Sequence, residues 1–130
     1  MLWRYCNRVG GQVYAEVPLA GPKGPALWSS NSTTRRLDGV RFAAPDRHRQ
    51  VRPFDKRAFV ASLSSSGTPW LIEAKVKLNR PVIGQIIVGA DLFEKQYGVK
   101  PAKLIILCRT GDDALEWACK KRGIEVEKDC

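Results

Sequence analysis

The stretch WLIEAKVKLNRPVIGQIIVGADLFEKQYG, residues 70 to 98, decides the fold, because its apolar period changes partway along. Trp70, Ile72, Ala74 and Val76 alternate with Leu71, Glu73, Lys75 and Lys77, the period-two signature of a strand. Asn79-Arg80-Pro81 then makes a helix entry, with Pro81 in the first turn, where its missing N–H costs nothing. Ile83, Ile86, Ile87, Ala90, Phe93 and Tyr97 follow at helical spacing, and Gly98 closes the helix. LIILC, residues 104 to 108, is a continuous apolar run suited to a strand covered on both faces. Thr110 to Asp113 open a second helix, Lys120, Lys121 and Arg122 before Gly123 end it, and IEVE, residues 124 to 127, forms a last short strand.

Upstream, the first nine residues are compatible with a short helix stopped by Gly10-Gly11. VYAEVPL then alternates Val13, Ala15, Val17 and Leu19 as a strand. AGPKGPALWSSNSTT, residues 20 to 34, has loop chemistry, and RRLDGVRF, residues 35 to 42, reads as a second short strand. Residues 43 to 69 form a long connection in which FVASL, residues 59 to 63, supplies an edge strand. The order predicts a single α/β domain over residues 1 to 130, with a central mixed β-sheet flanked by helices.

Charge narrows the function classes. Lys and Arg number 22 against 13 Asp and Glu, a net charge of +9, and such an excess suits a polyanionic partner whose counterions are released on binding. The excess concentrates between residues 35 and 57, where Arg35, Arg36, Arg41, Arg47, Arg49, Arg52, Lys56 and Arg57 face only Asp38, Asp46 and Asp55. Of these, Arg35, Arg36, Arg47, Arg49, Arg52, Lys56 and Arg57 are the expected contacts to a nucleic-acid backbone, and His48 and Trp28 are further candidates for phosphate contact and base stacking. Cys6, Cys108, Cys119 and Cys130 show neither zinc-ligand spacing nor a disulfide framework, which predicts small buried hydrophobes. No run of about 18 apolar residues is present to span a membrane, and MLWRYCNRVGG is too polar for a signal segment, so a cytoplasmic location is expected.

The chemistry lies in the EAK tripeptide. Side chains two apart on a strand project from one face, so Glu73 and Lys75 stand side by side. On an arbitrary strand this would be a solvated surface. Here Asp38 lies in a short strand that can pair with it, which would set two carboxylates together as hard ligands for a divalent cation. Lys75 would orient water or stabilise developing phosphorane charge, and Gln85, ten residues on, falls on the following helix as a hydrogen-bonding side chain.

The succession RRLDGVRF, WLIEAKVKLNRPVIGQ and a buried strand resembles the PD-(D/E)XK nuclease superfamily, with its restriction-endonuclease-like fold, over most of residues 12 to 127. That superfamily includes Holliday junction resolvases and many repair nucleases. The resemblance implies that Asp38 is the motif aspartate, that Glu73 and Lys75 are the (D/E)XK pair, that Gln85 is the helix glutamine of a subset of these enzymes, and that Glu16 is an additional upstream acidic ligand. It implies Mg²⁺ or Mn²⁺ held by Asp38, Glu73 and Glu16, and endonucleolytic hydrolysis of DNA leaving a 5′-phosphate. A homodimer bringing two sites to one substrate is a further expectation, with the apolar helix over 81 to 97 or the C-terminal helix as its interface. The alternative function is a non-catalytic nucleic-acid-binding module with the same fold.

Overall fold

A computed structural model describes residues 1–20, 33–43, 49–65 and 67–129, with backbone alone at Arg49. Trp28, Arg47, His48 and Cys130 lie outside the described residues, as does most of the loop expected over 20 to 34. The elements run α1 (Leu2–Val9), β1 (Gly11–Leu19), β2 (Arg35–Phe42), β3 (Arg49–Pro53), α2 (Lys56–Ser65), β4 (Trp70–Lys77), α3 (Arg80–Tyr97), β5 (Lys103–Thr110), α4 (Asp113–Lys121) and β6 (Ile124–Lys128). The six strands form one mixed sheet in the order β3-β1-β2-β4-β5-β6.

The sheet is assembled in two ways. β1, β2 and β4 pair antiparallel in sequence, and β3 adds parallel to β1 at the edge. β5 and β6 each join parallel to the strand before them, which requires a crossover, and α3 and α4 are those crossovers. Both crossover helices start on side-chain caps: the Val82 N–H donates to Asn79 Oδ1 at 2.9 Å and the Leu115 N–H to Asp112 Oδ1 at 3.1 Å. α3 ends at Gly98, whose φ of 71° is the left-handed conformation that lets its N–H return to the Glu94 carbonyl.

One expectation from the sequence is corrected. FVASL is not an edge strand; it lies inside α2. Asp55 Oδ1 accepts from the N–H groups of Arg57 and Ala58 and starts a helix there, while Phe59, with Ala58, Ser62 and Leu63 beside it, turns inward at helical spacing. The edge strand is β3, just upstream. The terminal helix, the other five strands and both crossover helices fall where their periodicity places them.

α2, α3 and α4 contribute to the core on one face of the sheet, where Phe59, Ile86, Phe93 and Cys119 pack with Tyr14, Val40, Phe42 and Ile106. α1 covers the other face, setting Tyr5 against Ile72, Ile105 and Leu107. Arg41 ties α1 down: its Nε donates to the Gly10 carbonyl at 2.8 Å, beyond the helix C-terminus, and its guanidinium lies 3.9 Å from the Trp70 ring centroid. Cys6, Cys108 and Cys119 are buried and form no disulfide with one another, and Cys6 Sγ donates to the Gly11 carbonyl at 3.6 Å. α3 turns Val82, Ile86 and Phe93 into the core of its own sheet.

Phe59 is the hinge of the aromatic core, with ring centroids of Tyr14, Phe42, Phe54, Phe93 and Tyr97 between 5.1 and 6.3 Å away. It has no exposed surface. Phe59→Ala is expected to cost about 3–5 kcal/mol in urea denaturation, against about 0.5 kcal/mol or less for Val60→Ala on the outer side of the same helix. Equal losses would show that α2 does not pack as described.

Candidate active site

The site begins where β2 and β4 part. Their ladder runs Arg41↔Trp70, Val40↔Leu71, Gly39↔Ile72 and goes no further. The next residues in register are Asp38 and Glu73. A parting ladder leaves backbone groups to be satisfied by other means, and here the Ala74 N–H donates to Asp38 Oδ2 at 2.8 Å. That bond fixes the Asp38 carboxylate at the fork. It is charge-assisted, so it holds the side chain more firmly than a neutral contact.

Strand period brings Glu73 to the same point. Leu71 belongs to the α3-side core while Ile72 belongs to the α1-side core, so Glu73 and Lys75 face α3. The Glu73 carboxyl lies close enough to Asp38 for the two groups to act on each other's charge. Glu73 is only 7% exposed, one of two charged residues buried among those described. Burial, and next the neighbouring Asp38 charge, push its pKa up to about 8; the charge of Glu16 adds to the rise.

Around the pair lies a cavity of about 620 Å³. Arg35 and Arg36 line it from β2 and Lys75 from β4, so cationic side chains surround the two acids. Gln85 lines it from the first turns of α3, as its spacing from Lys75 requires. Asp38, Glu73, Lys75, Gln85, Arg35 and Arg36 are therefore brought together.

The other predicted residues stand apart. Glu16 faces Asp38 in the β1–β2 register, between Ala15↔Gly39 and Val17↔Leu37, but it is exposed and is not among the lining residues. Its φ of 59° is left-handed, a conformation that costs a non-glycine residue about 1 kcal/mol or more. The consequence is a change of phase: Tyr14, Val17 and Leu19 all enter one core, a three-residue step that strict alternation forbids. Arg52 lies on the edge strand, 5.5 Å over the Tyr14 ring and 3.6 Å from Asp55, and Lys56 and Arg57 open α2. None of these three lines the cavity.

Sequence reasoning missed the residues that make room. Gly84 and Gly89 line the cavity on the same helix as Val88 and Leu92. Two glycines inside an otherwise good helix are the available signal, since each weakens the helix and needs a compensating reason. At Gly89 the reason is close packing, because an added Cβ would lie 3.0 Å from Leu37 Cδ2.

Burial beside the Asp38 charge disfavours the ionised form of Glu73, and a bound proton or a cation relieves that cost. Hard carboxylate oxygens at an open cavity fit a divalent ion that keeps most of its waters. Among the described residues, no three His, Cys, Asp or Glu side chains converge into a ready-made metal site. The chain matches no family model, no curated protein and no solved structure.

Glu73 gives a pH signature with a definite sign. Its folded-state pKa lies above the ordinary 4.5, so its contribution to stability is fully present below about pH 4.5 and is lost as pH rises through about 8. In Glu73→Gln an amide donates to Asp38 at every pH and this loss disappears. The urea midpoint of the variant should therefore climb relative to wild type between those two pH values. Parallel midpoint curves would mean that the Glu73 carboxyl is not held in its neutral form.

Proposed function

We propose that this chain is a Mg²⁺- or Mn²⁺-dependent nuclease of the PD-(D/E)XK type, with a restriction-endonuclease-like fold, hydrolysing phosphodiester bonds in DNA. One observation carries the reading: the carboxyls of Asp38 and Glu73 meet at the fork between β2 and β4, beside Lys75. Burying Glu73 beside a second carboxyl is unfavourable for its charged form, and a carboxyl perturbed in this way at a cavity is typical of a site kept for chemistry. The basic balance of +9 and the placement of Arg35 and Arg36 at the cavity give further support for a polyanionic substrate.

Asp38 and Glu73 would hold the cation, with Glu16 near enough to add its field. The ion, when bound, supplies charge neutralisation at the phosphoryl group and a lower pKa for water. The chain's own groups do the rest. Asp38 is kept in place by the Ala74 N–H, so the first ligand is preorganised. Lys75, on the same face as Glu73, orients the attacking water and counters charge growing on the phosphorus oxygens. Gln85 offers an amide oxygen and an amide N–H to fix that water or a non-bridging oxygen. Arg35 and Arg36 grip neighbouring phosphates, whose planar guanidinium partners suit bidentate contact. Water adds to phosphorus, the bond to the 3′ oxygen breaks, and the products carry a 3′-hydroxyl and a 5′-phosphate.

The test is nicking of supercoiled plasmid with Mg²⁺, Mn²⁺ or EDTA by wild type, Glu73→Gln, Asp38→Asn and Lys75→Ala. Metal-dependent cleavage in wild type should fall by about 10²-fold or more in each variant. A plasmid left intact but retarded by all four proteins would replace this reading with that of a non-catalytic binding module.

A further inference from the structure

The chemistry above leaves half of the cavity unused. Away from the acids its wall is aliphatic, formed by Leu37 on β2 and by Gly84, Val88, Gly89 and Leu92 on α3. Positions 84, 88 and 92 are spaced by four, which sets them in a row along one helix face. Val88 is 53% exposed, although the helix buries Val82, Ile86 and Phe93 completely or nearly so. A Cβ placed on Gly84 would meet nothing within 4 Å, so the row contains an open recess. A phosphate group needs neither an aliphatic wall nor this much space; the cavity's 620 Å³ lies within the range of about 300–1,000 Å³ typical of small-molecule sites.

We propose that this aliphatic half seats an unpaired nucleobase next to the bond that Asp38 and Glu73 address, so that the substrate class is single-stranded or locally unpaired DNA. The proposal rests on the nuclease reading and narrows it. A base has two apolar faces and a polar edge, and laying a face on the aliphatic row of α3, where Val88 is exposed, removes that face from water without reading the base's identity. Arg35 and Arg36 on one side and Lys75 on the other then meet the phosphates that flank that base. A base held in a continuous duplex is stacked on both faces and has none free to enter. Extruding it costs a few kcal/mol, which an already unpaired strand does not incur.

The test separates base contact from phosphate contact. Fluorescence anisotropy of the full chain is measured in EDTA with a labelled single strand of about 12 nucleotides, with an abasic strand of equal length and charge, and with the corresponding duplex, on wild type, Gly84→Leu and Val88→Glu. Wild type should bind the base-bearing strand about tenfold more tightly than the abasic strand or more. Gly84→Leu, which fills the recess in an open position, should close that gap and leave abasic binding unchanged. Val88→Glu should close it through charge on an exposed position that tolerates polarity. Equal affinity for the two strands in wild type, or a gap that survives both substitutions, overturns the proposal. Base-dependent binding with no Mg²⁺-dependent cleavage would remove the nuclease reading alone; cleavage of duplex and single strand at equal rates, without base-dependent binding, would remove the nucleobase pocket alone.

Discussion

The hydrogen bond from the Ala74 N–H to Asp38 organises the site, because it turns a break in the sheet into a fixed point. Two strands that separate expose backbone amides that must find partners, and an unpaired buried amide costs more than most single contacts contribute. A carboxylate is the strongest partner a side chain can offer. Once Asp38 is held there, register places Glu73 beside it, and burial with the neighbouring Asp38 charge raises the pKa of Glu73. The carboxyl pair and the raised pKa of Glu73 are thus consequences of where the β2–β4 ladder stops.

The surrounding fold keeps the fork open. Glu16, in its left-handed conformation, shifts the phase of β1 directly opposite Asp38, so both Tyr14 and Leu19 reach the same core. α3 crosses above the fork as the connection to the parallel strand β5, and its glycines let it approach Leu37 at one point while leaving a recess at another. The aromatic cluster about Phe59 anchors the opposite end of this face. Strand, crossover and core therefore fix one cavity wall each.

Much of this was legible in the residues. WLIEAKVK has an alternation that assigns Trp70 to Lys75 to their observed faces, and Asn79, Pro81 and Gly98 mark both ends of α3 because capping is local chemistry. The meeting of Asp38 with Glu73 and Lys75 followed from assuming that their strands are neighbours. What could not be read depends on distant partners. FVASL has strand-like residues and becomes helix because Asp55 caps it and Phe59 finds a waiting aromatic shell. The stop in the ladder, the backbone bond to Asp38 and the open space beside Gly84 have no local signature. The basic stretch from 35 to 57 is continuous in sequence, yet Arg41 is used inside the fold and Arg52 lies on the edge strand, because strand pairing disperses charges that are adjacent in sequence.

On the proposed function, Asp38 and Glu73 jointly hold a divalent cation where Glu73 otherwise keeps its proton. Titration calorimetry with Mn²⁺ at pH 7, repeated in buffers of different ionisation enthalpy, measures cation stoichiometry and proton release together. The expected result is one principal site per chain, release of close to one proton as the neutral Glu73 carboxyl ionises, and loss of binding in Asp38→Asn. Binding that persists in Asp38→Asn, or binding without proton release, would contradict it.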